Sequence, residues 1–132
     1  MTVISAKVIL KPKYYCKIQL KGLPTGGNSR QHWRAKYQEI KKWKGAIFDA
    51  LRSSKGIPSK PLSRVKLRYT RCSSNSMDWD NLAISFKSVQ DGLVEARVLH
   101  DDKITNIPKM PIYRQAKAKR GEGRIIIELW EL

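Results

Sequence analysis

Residues 62–70 read Leu62-Ser63-Arg64-Val65-Lys66-Leu67-Arg68-Tyr69-Thr70. Apolar Val65, Leu67 and Tyr69 alternate with basic Arg64, Lys66 and Arg68. A period of two predicts a β-strand with one apolar and one basic face. Upstream, Trp33, Tyr37, Ile40, Trp43, Ile47 and Leu51 recur at intervals of three and four, which predicts an amphipathic helix over 29–52. Asn28 or Ser29 suits its N-cap. The Gly- and Pro-rich segments 21–28 and 53–61 read as loops. Residues 14–20 read as a strand, and residues 1–13 are open to two readings, an edge strand or an arm toward a partner. Downstream follow a second helix over 81–96, a short extended piece at Val98-Leu99 and a turn at 100–103. The chain then ends in a hairpin, with strands over 109–118 and 124–132. The order β-α-β-α-β-β predicts an α+β fold: one domain over 1–132, with two main helices packed on a mixed sheet.

The chain has 132 residues, which suits one domain. It carries 27 Lys+Arg against 11 Asp+Glu, a formal charge of +16. A hydrophobic share of 41% argues against intrinsic disorder, because enough apolar surface is available to offset chain entropy. No apolar run approaches the ~18–20 residues of a membrane span. Met1 to Lys13 lacks the long apolar core of a signal peptide. Cys16 and Cys72 are too few for a disulfide framework or a four-ligand zinc site, and read as reduced thiols of a cytoplasmic protein. A cationic surplus of this size points to a polyanionic partner, and nucleic acid fits better than a membrane surface, since no basic amphipathic helix with a free apolar face is evident.

The acidic residues are placed more tellingly than the basic ones. Six of them, Asp78, Asp80, Asp91, Glu95, Asp101 and Asp102, fall in 78–102, where only Lys87 and Arg97 are basic. That stretch has a formal charge of −4, leaving +20 for the rest of the chain. A protein that only grips phosphates gains nothing from carboxylates near its ligand, whereas hard divalent cations require oxygen ligands. With Asp80 at zero on a helical wheel, Lys87 falls near roughly −20° and Asp91 near +20°, opposite Leu82, Phe86, Val89 and Leu93. Asp78 precedes the helix by two residues, where extended backbone puts both Asp side chains on one side. Asp101-Asp102 adds a second acidic pair.

Each of these residues also has a purely structural reading. Asp80 serves as a helix cap, Asp78 and Asp101-Asp102 as turn residues, and Lys87–Asp91 as an exposed i,i+4 ion pair. His100 is then a solvated turn residue, His32 a partner at the helix start, and Trp33, Tyr37 and Trp43 core rather than a stacking platform for bases.

The pattern Asp78-x-Asp80-Asn81-Leu82, then Lys87, Asp91-Gly92-Leu93 and Asp101-Asp102, resembles the RusA family of Holliday junction resolvases, especially phage and prophage versions. Pro24, Asn28, Arg30, His32 and Trp33 resemble the family's amino-terminal loop, and Gly123-Arg124 its last strand. The resemblance covers roughly residues 15–130. It implies a RusA-like fold and a Mg²⁺-dependent homodimeric endodeoxyribonuclease, with Mn²⁺ as a substitute, that resolves four-way junctions by paired nicks in recombination and repair. It also implies a phage- or prophage-encoded protein in the bacterial cytoplasm. Asp78, Asp80 and Asp102 become catalytic metal ligands, Asp101 a helper ligand, and Lys87 the family's essential lysine. Asn81 and Asp91 take supporting places. The lysine departs from the founding pattern: it stands seven residues after the second Asp of the motif, not four, ~10.5 Å along a continuous helix.

The implied grip on DNA comes from Arg30, Arg34, Arg64, Lys66, Arg68, Arg114, Lys117, Lys119, Arg120 and Arg124. The metal would polarise the scissile phosphate and Lys87 would donate to its oxygens. Two rival readings remain: a non-catalytic DNA- or RNA-binding module, and a nuclease for flaps or other branched DNA.

Overall fold

The computed structural model describes residues 14–25, 33–54 and 56–132. The expected edge strand or arm in 1–13, the cap at Asn28 or Ser29, Arg30 and His32 lie outside the described residues. The elements are β1 (Tyr15–Lys21), α1 (Trp33–Ser53), β2 (Val65–Ser73), α2 (Trp79–Ser85), α3 (Lys87–Glu95), β3 (Ile112–Lys117) and β4 (Arg124–Glu131). They form a small α+β domain around one mixed sheet of order β1-β4-β2-β3.

The alternation in 62–70 has the predicted consequence. Val65, Leu67 and Tyr69 are buried, and Arg64 and Lys66 point to water. The strand itself begins three residues later than expected. Leu62 instead forms an isolated parallel bridge to Leu99, with Leu62 N donating to Val98 O at 2.9 Å and His100 N to Leu62 O at 2.9 Å. Ile18 and Leu20 of β1 and Ile125, Ile127 and Leu129 of β4 share the apolar face with β2. Against it lie Trp43, Ile47 and Leu51 of α1, Leu82 of α2, and Val89 and Leu93 of α3. The opposite face, free of helices among the described residues, carries Tyr15, Lys17, Lys66, Arg68 and Trp130.

The expected carboxy-terminal hairpin does not form. β4 runs antiparallel between β1 and β2, and β3 lies outside β2, parallel to it. The burial of each strand gives the reason. Half of the β4 residues are buried, the rest are partly buried, and apolar residues lie on both faces, which suits a central strand. Among the residues of β3 none is fully buried, which suits an edge, where polar side chains blunt further pairing.

The expected single helix over 81–96 is two helices meeting at Phe86. Phe86, at φ −82° and ψ −1°, ends α2 and caps α3. Two interactions favour the break. Ser85 Oγ donates to Leu82 O at 2.7 Å, which competes with the backbone ladder. The buried Phe86 ring stacks on Tyr69 with centroids 4.8 Å apart.

The aromatic run of α1 also divides. Trp43 is fully buried, whereas Trp33 is 65% and Tyr37 47% exposed, so only one of the three belongs to the core.

Candidate active site

Asp78 is the N-cap of α2. Its Oδ1 accepts from Asn81 N at 2.8 Å and its Oδ2 from Asn81 Nδ2 at 3.0 Å. Both oxygens are therefore engaged by the neighbour expected to support them. Asp80 lies in the first turn of α2, exposed, where the helix dipole favours negative charge. Among the described residues it has neither a hydrogen bond nor an ion pair. Residue 77, just before the cap, is clamped by an edge-strand amide: Met77 N donates to Gln115 Oε1 at 2.9 Å, and Gln115 Nε2 to Met77 O at 2.8 Å. Gln115 thus fixes where the chain delivers Asp78 and Asp80. No sequence motif marks it, because its role comes from the parallel β2–β3 register.

Lys87 sits at the first turn of α3, half-exposed. Its Nζ lies 2.6 Å from Asp102 Oδ2 and 3.0 Å from Asp91 Oδ1. The i,i+4 pair with Asp91 is the contact its spacing predicts. The pair with Asp102 joins the helix to the 100–103 turn. The break at Phe86 falls between Asp80 and Lys87, so the two residues stand on separate helices, α2 and α3. Asp101 Oδ1 accepts from Asp102 N at 2.7 Å, and Lys103 Nζ approaches Asp101 Oδ2 at 3.7 Å. His100 is exposed, as a turn histidine. Beneath the cluster, Tyr69 OH donates to Gln90 Oε1 at 3.0 Å. Burial pushes the Tyr69 phenol well up, with Tyr113, Asp91 and Asp102 acting in the same direction.

The hydrogen bond from Lys87 holds the Asp102 carboxyl below the usual carboxylate range, against a smaller opposing effect of burial. Burial would lower Lys87, but Asp102 and Asp91 together raise it. The acid's stabilising contribution is present above its unfolded value of ~3.9 and is lost as pH falls through the lower folded value. The lysine's is present below ~10.4 and is lost as pH rises through the higher folded value. Urea unfolding of Asp102→Asn against wild type should therefore show a deficit of about 0.5–1 kcal/mol between roughly pH 5 and 9, small because the pair is partly exposed. The deficit should shrink at both extremes.

All four candidate ligands are carboxylates, hard donors suited to Mg²⁺. Among the described residues, however, no three His, Cys, Asp or Glu side chains stand together as a metal site. The carboxylates of Asp78, Asp80 and Asp102, expected to bind one or two Mg²⁺ ions, are not gathered into one such group. The hydrogen bonds explain this: Asp78 is spent on Asn81 and Asp102 on Lys87. The donors fit instead an ion held by one or two carboxylates, with water and substrate phosphates completing the shell, as Mg²⁺ commonly is.

The cationic residues do not simply ring this cluster. Lys66, Arg68, Arg114 and Arg124 fall by register on the helix-free face, away from the helices that carry the carboxylates. Arg68 is committed to Glu128, with Nη2 2.7 Å and Nε 2.8 Å from Oε1, and both Lys66 and Arg68 lie over the Trp130 ring. Arg34, on exposed α1, lies over Trp33. Arg64, Lys117, Lys119 and Arg120 are exposed. No family model matches the chain, and no curated protein does.

Proposed function

We propose that the chain is a Mg²⁺-dependent endodeoxyribonuclease that resolves four-way DNA junctions, in the manner of the RusA family that its motif resembles. The observation that carries this reading is the cluster of Lys87, Asp91 and Asp102, with exposed Asp80 and Asp78 at the α2 N-terminus, on a chain of charge +16. Such a concentration of carboxylates repels DNA unless a cation is recruited with it. When bound, the metal supplies Lewis-acid activation of the phosphate and of an attacking water. Asp80, unpaired among the described residues, is the freest donor for it, with Asp78 and Asp102 as further candidates and Asp101 as a helper. Lys87 exchanges a carboxylate for a phosphoryl oxygen and donates to the charge that develops there. The products are a 5′ phosphate and a 3′ hydroxyl. A homodimer would present two such sites to a two-fold junction.

A second reading has an observation of its own. Because Lys87 already neutralises Asp102 and Asp91, the cluster also suits a nucleic-acid-binding module with no chemistry. Among the described residues no helix is long and apolar enough to cross a membrane.

Incubation with a labelled four-way junction, a linear duplex and a flap, with and without Mg²⁺, separates the readings. Paired symmetric nicks confined to the junction and to Mg²⁺ are the expected result. Binding that survives chelation, with no nick in any substrate, would establish the module. Nicks chiefly in the flap would reassign the substrate.

A further inference from the structure

The carboxy-terminal ends of β1 and β2 and the start of β4 enclose a cleft of about 760 Å³, and none of the Lys87 contact residues lines it. Four cationic side chains line it, Lys21, Arg71, Lys119 and Arg124, against one carboxylate, Glu122. Lys21 and Arg124 are direct cross-strand partners in the β1–β4 register. Like charges placed opposite one another destabilise a sheet, and none of the ion pairs among the described residues offsets this one. The buried Nε atoms of Arg71 and Arg124 also have no hydrogen-bond partner among the described residues.

The walls are held in shape by the backbone. Gly22 N donates to Gly123 O at 2.9 Å. A Cβ on Gly123 would come within 2.8 Å of the Leu23 side chain, so a larger residue there would have to displace Leu23 from the end of β1. Arg71 Nη1 donates to Asn75 O at 2.7 Å and draws the 73–75 lip over the cleft. Fixed cations, two guanidinium forks and a polar lip form the recognition chemistry of a phosphate, which arginine takes in a bidentate manner.

We propose that this cleft seats a backbone phosphate of the bound DNA strand, a contact that rests on the reading of the chain as a DNA-acting protein. The lip supplies the link to the candidate active site. Asn75 is three residues before Asp78, and three residues span at most ~11 Å. The lip that borders the cleft thus leads within three residues into the α2 N-terminus, which carries Asp78 and Asp80. The clamp of Gln115 on Met77 keeps that spacing constant. The cleft acts as a second handhold, which fixes the strand's position and leaves the chemistry to the Asp80 and Lys87 groups.

The test is fluorescence anisotropy of a labelled junction and a labelled single strand, titrated with full-length protein in EDTA at several salt concentrations. In the double variant Lys21→Gln/Arg124→Gln, the slope of log affinity against log salt should fall by about 0.9 on duplex arms, as one phosphate contact is lost. Ser74→Glu, which places a carboxylate in the cleft and leaves both cations in place, should weaken binding as well. Thermal unfolding checks that each variant is folded; if the double variant is not, Ser74→Glu alone decides. An unchanged slope and affinity in the folded variants would overturn the proposal. So would titration with inorganic phosphate that shifts the Gly121 and Gly123 amide resonances while DNA affinity is indifferent to the variants, since the cleft would then be a small-anion site. The nuclease reading fails separately: wild-type protein that binds with its full salt slope but never nicks a junction sinks that reading and leaves the phosphate seat standing.

Discussion

Asp80→Asn is expected to bind a four-way junction as tightly as wild type and to nick it at least ~100-fold more slowly. The first half follows from the surroundings of Asp80. It is exposed, it has no partner among the described residues, and asparagine has nearly its shape. The substitution costs the fold only the attraction of a negative charge to the α2 N-terminus, about 0.3–1 kcal/mol. Removing a negative charge beside DNA does not weaken binding in EDTA. The second half follows from what a hard cation needs. An amide oxygen is a far poorer ligand than a carboxylate, and a metal contributes several kcal/mol at the reacting phosphate, where each ~1.4 kcal/mol is tenfold in rate. Asp78→Asn is the informative control, because asparagine also caps helices well and α2 should persist. Single-turnover nicking in Mg²⁺ measures both variants. Wild-type rates from Asp80→Asn would remove this carboxylate from the chemistry.

The parts of this molecule that could be read from its residues are those governed by local period. The alternation of 62–70 and the spacing of Leu82, Phe86, Val89 and Leu93 each name the side chains that are buried. Pairing between distant strands has no such signature. Nothing within 109–132 announces that β4 leaves β3 and inserts between β1 and β2, and the apolar run Ile125-Ile126-Ile127 distinguishes a central strand only in hindsight of its burial. The break at Phe86 was equally silent, since neither Gly nor Pro marks it; a serine hydroxyl and a ring stack produce it. That break matters for the site. It places Asp80 and Lys87 on separate helices, and Lys87 pairs with Asp102 across elements as well as with Asp91 on its own helix. The constellation of residue types was legible, but its geometry was not, because three separate elements contribute to it. The same reasoning explains Gln115 and the Lys21/Arg124 pair, whose placement exists only in the register.

Trp43→Ala should be the most damaging single substitution for stability, at about 3–5 kcal/mol. Trp43 has no exposed surface and lies on the face of α1 that packs against α3. The helices approach so closely that a Cβ added at Gly92 of α3 would stand 3.1 Å from both Trp43 Cβ and Lys44 N. Glycine at 92 thus admits the tryptophan, and the two positions form one fitted contact. Deleting the indole leaves a cavity that two helices, each also anchored on the sheet, cannot close by moving together. For a domain whose whole stability is of order 5–15 kcal/mol, such a loss is a large fraction. Gly92→Ala works the contact from the other side and should cost about 1–3 kcal/mol by overpacking, because the atoms it meets include backbone that cannot rotate away. Trp33→Ala, ten residues earlier on the same helix but 65% exposed, should change stability by no more than about 0.5 kcal/mol. Urea midpoints of the three variants decide the matter. A small loss from Trp43→Ala, or one equal to that from Trp33→Ala, would mean that α1 is not seated on α3 through this contact. The α3 helix that carries Lys87 and Asp91 would then lack the support that holds the candidate site in place.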